Sequence, residues 1–390
     1  MSANHTVNYS QLEIGAALAV GTVGVLMVGI QPILLGELVD SHMVSLEGVG
    51  IVAMAEIIAL GIGVVLGDTL LPGARLRRIA IIAAALVAFF DVLTLAAVNE
   101  LQMTAVRAAA GVVEGVLVWG ATGVVVRTEN PARIAGIFFI VQTIAQAVLG
   151  MLLANVVIPH RGWQGGFATL GALTLLSCSL AYLQPARLTP LATTEATGFR
   201  WTVAAVLTLA VVFLQLATLG SFWAYLEPIS KAVGFDAREA QSLISGVLVM
   251  QVLGGVVATA AVRRLAGVPT LLAASAGLAV VAITTYLLPN GSTLQFTLGC
   301  ALFGFVWLFM LPFHIGLALQ VEQSGRLAGL VPAAQLLGSA FGPLTASFIV
   351  EGENATAVPL LSATFAVAAA AILLFGRLHQ FSQTGRGHAL

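Results

Sequence analysis

Charge is what this chain of 390 residues has least of. Only 8% of its residues are charged and lysine occurs once, as Lys231. Soluble domains carry about 25% charged residues, so a water-soluble globule is excluded. Cysteine is nearly absent too: Cys178 and Cys300 both fall inside apolar runs, where they read as packing residues and not as a disulfide. The net charge of −1 comes with no basic block, which leaves no surface for nucleic acid. There is no Gly-rich phosphate loop ending in Lys, no HExxH and no Cys/His cluster at metal spacing. The expectation is therefore a protein that is no enzyme and needs neither cofactor nor metal. The first ten residues lack a basic start and the first apolar run is too long for a cleavable signal, so no signal peptide is expected.

What the chain has instead is apolar length. Hydrophobic residues make up 59% and the mean hydropathy is +1.02. A bilayer core about 30 Å thick needs about 20 apolar residues per helix, whereas β-barrel strands would be about 10 residues of alternating polarity. Twelve spans follow, at roughly 13–39, 46–70, 75–98, 101–126, 132–158, 163–183, 201–233, 238–262, 268–288, 294–319, 326–350 and 358–380. Basic residues gather in cytoplasmic connections. With the N-terminus inside, the inner connections and tail hold Arg75, Arg77, Arg78, Arg127, Arg133, Arg187, Arg200, Arg263, Arg264, Arg326, Arg377 and Arg386. The outer side holds only Arg161, Lys231 and Arg238, so both termini are expected in the cytoplasm.

The chain also repeats itself. "ENPARIAGIFFIVQTIAQA" from Glu129 returns 193 residues later as "EQSGRLAGLVPAAQLLGSA" from Glu322, pairing Arg133 with Arg326, Gly136 with Gly329 and Gln142 with Gln335. "GIQPI" around Pro32 is answered by "YLEPI" around Pro228. Two halves are implied, 1–183 and 201–390, joined by a polar cytoplasmic linker over 184–200.

Local motifs agree with that plan. Spans 2 and 3 are joined by "GDTLLPGARLRR", span 4 carries "RAAAGVVEG", and "HRGWQGGFATLGAL" lies between spans 5 and 6. Twelve helices as six plus six, this repeat and these motifs resemble the major facilitator superfamily of secondary transporters. The loop has about two extra residues between Asp68 and Gly73, and span 5 lacks the Gly-Pro antiporter motif that its counterpart "GSAFGP" in span 11 retains. The resemblance implies an all-α membrane protein with two pseudo-symmetric six-helix halves, spans 1, 4, 7 and 10 lining a central cavity, and alternating access.

Ionisable residues inside a span are costly, which makes them functional candidates. Five qualify: Glu56 in span 2, Asp91 in span 3, Arg107 and Glu114 in span 4, and Glu227 in span 7. Arg107, Gly111 and Glu114 share a helix face. Two roles compete for Arg107: holder of an anionic group or coupling carboxylate, or half of an internal ion pair. Glu114 is placed to exchange a proton or to serve in that pair. Glu227 precedes Pro228, and its repeat partner is Gln31 before Pro32; each Pro should bend its helix. Glu56 could face the cavity and exchange protons, while Asp91 on a peripheral span reads better as a partner for Arg107. Trp223, one turn from Glu227, and Trp307, seven residues before His314, read as aromatic cavity lining. His314 itself suits proton coupling or a buried structural role.

At the inner ends, Asp68, Arg75, Arg77 and Arg78 face the echoed pairs Glu129/Arg133 and Glu322/Arg326, an expected charge gate. The sequence thus points to a monomeric secondary transporter in a lipid bilayer, a bacterial inner membrane by preference. It would move a small hydrophobic or aromatic organic molecule with proton coupling. Uptake of a small organic anion through Arg107, or a non-transporting receptor of the same fold, are the alternatives.

Overall fold

The computed structural model describes residues 9–189, 201–322, 326–352 and 354–386. Among them there is no β-strand, only one isolated bridge between Glu351 and Asn354. Most of the expected linker, residues 190–200, lies outside the described residues.

The first half begins with α1 (Gln11–Val23), α2 (Leu26–Asp40), α3 (Leu46–Leu70), α4 (Leu76–Thr94) and α5 (Glu100–Val125). It closes with α6 (Pro131–Leu152) and α7 (Ile158–Leu183), joined through a π-turn at Leu153–Val157. The second half holds α8 (Val203–Ala224), α9 (Leu226–Val233), α10 (Ala237–Ala261), α11 (Gly267–Leu287), α12 (Thr293–Val321), α13 (Arg326–Ser347) and α14 (Val358–Arg386). Among the described residues, ten stretches are long and apolar enough to cross a membrane. One of these, Arg133–Leu183, is really two helices, because Gly162 adopts φ 55° and turns the chain. Only glycine enters that region without strain. Helix α4 is a further crossing, set apart from the ten by its three charged residues, Arg77, Arg78 and Asp91. Twelve crossings result.

Spans 1 and 7 are each broken. In span 7 the break falls at Tyr225, beside Ala224, whose carbonyl Pro228 cannot serve. In span 1 it falls at Gly24–Val25, above Pro32, and the Val25 carbonyl accepts a hydrogen bond from the Gln146 Nε2 of α6 at 2.6 Å. A glutamine of α6 is thus hydrogen-bonded to the backbone at the break.

Helix pairs approach closely where side chains vanish. A β-carbon at Gly63 or Gly115 would overlap the Val112 or Leu60 carbonyl across α3 and α5; at Gly254 or Gly304 it would meet the Phe305 or Val247 carbonyl across α10 and α12. Spans 2 and 4 therefore pack as spans 8 and 10 do, through small residues, which is how helices associate where lipid removes the hydrophobic drive. The radial pattern is that of a membrane protein. Large apolar side chains such as Val148, Leu175, Leu176 and Leu298 point outward, while Gln31, Glu56, Arg107, Gln215 and His314 are buried.

The chain divides into two compact units. One comprises residues 1–44 and 55–194, the other 45–54 and 195–390. The start of α3 thus groups with the second unit: the Gly50 amide donates to the Tyr225 hydroxyl at 3.1 Å, and the Gly352 amide donates to Glu47 at 3.0 Å.

Candidate functional site: a buried guanidinium among three carboxylates

Four of the five embedded charges meet at one point of the first unit. Arg107, on α5, is fully buried. Its Nε donates to Glu56 Oε1 on α3 at 3.0 Å, and its Nη2 donates to the same oxygen. Nη1 donates to Asp91 Oδ1 on α4 at 2.8 Å, and Nη2 also reaches Glu114 Oε1, two turns along α5, at 3.1 Å. The carboxylates are themselves held. Gln31 Nε2 on α2 donates to Glu56 Oε2 at 3.3 Å, and the Thr174 hydroxyl on α7 donates to Asp91 Oδ2 at 3.4 Å. The Phe167 ring lies 5.2 Å beneath the guanidinium carbon. Five crossings converge here, and Gly111 keeps α3 close enough to do so, since a β-carbon there would press on the Glu56 carbonyl.

Two features set this cluster apart from a simple ion pair. One guanidinium faces three carboxyl groups, so full ionisation would strand two uncompensated negative charges in a dry interior. Holding such an excess in a medium of low dielectric is costly. The second feature is Glu114 Oε2, which is buried and has no hydrogen-bond partner among the described residues.

The second unit carries a neutral counterpart. Gln215 Nε2 on α8 donates to the Leu271 carbonyl at 3.1 Å and the Ser275 hydroxyl at 2.7 Å, so its oxygen is the end that faces His314 Nε2 at 2.7 Å. The imidazole must carry its hydrogen on that nitrogen. Its Nδ1 then accepts from the Gln335 amide at 3.1 Å. A search restricted to ionisable residues passes over Gln215 and Ser275. The signal for Gln215 was an amide inside the apolar run "VVFLQLATLG". Gln335, already conspicuous in the repeat, takes its place here.

Glu227 is buried and pairs with Lys231 one turn on, at 3.1 Å. Trp223 and Trp307 meet edge to face with centroids 5.3 Å apart, and Phe303 and Phe222 extend the group at 5.8 and 4.8 Å. Trp223 is buried and Trp307 half-buried.

At the expected gate, Arg77 donates twice to the Gln184 carbonyl, at 3.0 and 2.9 Å, and lies over Tyr182, so it clamps the chain leaving α7. Asp68, Arg75, Arg78, Glu129 and Arg133 are exposed and form no ion pair with one another among the described residues of their unit. Glu322 accepts from the Leu327 amide at 3.2 Å and so caps α13, while Arg326 is exposed.

The whole chain was compared with proteins of known structure. The D-xylose-proton symporter superposes with a TM-score of 0.68 at 16% identity, over 93% of this chain and 97% of that one. The chain has the major facilitator fold. The xylose transporter XylE from E. coli, in a partially occluded inward-open conformation, gives 0.67 at 15% identity over 93% and 99% of the two chains. A bacterial homologue of the human lysosomal transporter Spinster gives 0.68 at 12% identity over 93% and 95%. No protein-family model matches the sequence, and no curated protein matches it. At these identities the likeness is one of fold, and the chain is an integral, multi-pass membrane protein.

Proposed function

We propose that this protein is a secondary transporter that couples solute movement to protons by alternating access. It would sit as a monomer in the inner membrane of a bacterium with both termini cytoplasmic, as the distribution of arginines supports. The observation that carries the reading is the Arg107 cluster. Three carboxyl groups compete for one cation, and the fifth arginine N–H together with the orphaned Glu114 Oε2 leaves slack for rearrangement. A shift of Arg107 from one carboxylate to another would release a proton from the newly paired group and let the abandoned one take a proton up. Glu114, held by one contact, is the group we assign to that exchange.

The substrate reading rests on the other unit. Trp223, Trp307, Phe303 and Phe222 form an apolar, aromatic group, which suits a small hydrophobic or aromatic organic molecule. The anion alternative loses ground, because four of the five Arg107 donors are committed and three carboxyl groups surround it.

Flux into proteoliposomes under an imposed pH gradient tests the assignment. Glu114→Gln is expected to abolish gradient-driven accumulation while substrate binding and exchange persist. Full proton-driven accumulation in Glu114→Gln, in Glu227→Gln and in the double variant would make the carboxylates structural and sink the proposal.

A further inference from the structure

Outside the site described above, the second unit has a groove between α11 and α12. Its volume is about 400 Å³, and its floor is cut by the small residues Ala273 and Gly277 of α11 while Phe305 and Phe309 of α12 form a wall. Those two rings stack, 5.5 Å apart and 21° from parallel. The only polar side chain in the lining is Thr270, whose hydroxyl donates to the Ala266 carbonyl at 2.8 Å and so offers no donor to a ligand. A polar solute finds one hydroxyl oxygen here and no side-chain donor.

The length of the groove and the charge at its mouth point to one occupant. From Ala266 to Gly277 the helix rises about 16 Å, close to the roughly 15 Å of one hydrocarbon leaflet. The groove therefore runs from the end of α11 to mid-membrane. At that end, directly before Leu265, stand Arg263 and Arg264, both exposed and without an ion-pair partner among the described residues. Two cations at headgroup level above an apolar trough one leaflet deep match an anionic lipid. We infer that the α11–α12 groove is a binding site for an anionic glycerophospholipid of the phosphatidylglycerol type. One acyl chain lies along Ala273, Gly277, Phe305 and Phe309, and the phosphate meets Arg263 and Arg264. The inference is independent of any transport activity.

The test uses the full chain in proteoliposomes doped with phosphatidylglycerol carrying a photoactivatable group on an acyl chain, with labelled peptides mapped by mass spectrometry. Labelling is expected on α11 and α12 at the groove. It should fall roughly 30-fold in Arg263→Gln/Arg264→Gln, the product of the attraction that two basic residues near an anionic headgroup contribute. The same probe with a phosphatidylcholine headgroup should label weakly and equally in both proteins. Ala273→Trp, which fills the trough, should remove the signal from either probe. Both arginines are exposed, so the double variant should fold, and unchanged protection of Cys300 confirms it. Equal labelling by the two headgroups in the unaltered protein would show ordinary lipid solvation and overturn the inference. So would labelling insensitive to the double variant, or a dimer in light scattering whose interface covers the groove.

Discussion

Arg107→Met is the substitution that interrogates the buried cluster most directly. It keeps an apolar stem of similar length but removes four hydrogen bonds to three carboxyl groups. Breaking a buried ion pair by deleting one partner costs about 3–5 kcal/mol, because the remaining charge is left without compensation. For a body of roughly 150–250 residues, each kcal/mol moves the melting temperature by about 2–4 °C, so the expected fall is about 6–20 °C. The protein carries its own reporters. Cys178 lies on α7 in the first unit, packed beside the cluster of Ala83, Ala84 and Val87, and Cys300 is buried on α12 in the second. With Cys300→Ser as background, a thiol-reactive dye follows the first unit during heating; with Cys178→Ser it follows the second. Arg107→Met should bring forward the labelling of Cys178 much more than that of Cys300. Neutralising the partners as well, with Glu56→Gln, Asp91→Asn and Glu114→Gln added, should recover most of the loss, since a fully neutral interior has no stranded charge. A Cys178 midpoint that moves by less than about 2 °C in Arg107→Met, against the 6–20 °C estimated above, would refute the reasoning. So would a quadruple variant no more stable than the single one.

Three further outcomes follow from the packing. His314→Leu strands the Gln215 oxygen and the Gln335 amide and should destabilise by about 1–3 kcal/mol, read from the Cys300 midpoint, while His314→Gln should lose less. Gly304→Val drives a side chain into the Val247 carbonyl of α10 and should cost about 1–3 kcal/mol, whereas Gly277→Ala, with open space beside it, should be close to neutral in the same assay. Trp307→Ala should weaken substrate binding in a thermal-shift titration by more than Trp119→Phe does, because Trp119 packs against Gly67 within the core.

The order of the helices could be read from the chain because spans are written as contiguous apolar runs, and the repeat of Glu129–Ala147 at Glu322–Ala340 declared two halves. Kinks were half readable. Pro228 marks the break at Tyr225, but the break in span 1 lies above Pro32, where Gln146, more than a hundred residues away, supplies the hydrogen bond. The same distinction governs the site. Each embedded charge was visible as a costly residue in an apolar run, and Arg107 with Glu114 was visible as a shared face. That Glu56 and Asp91 come to the same guanidinium depends on how α3, α4 and α5 are rotated about their axes. Rotation is set by which glycines let backbones touch: Gly63 and Gly115 seat α3 against α5, and Gly111 lets the Glu56 backbone approach Arg107. A glycine in a sequence says only that a side chain is missing, and the helix that fills the gap is named by the fold. Solvated arginines such as Arg75 and Arg78 have water as an alternative partner, so their pairing is worth about 0–1 kcal/mol and does not shape the structure. Arg107 is buried away from water, and four of its five N–H groups are committed to carboxyl groups on α3, α4 and α5.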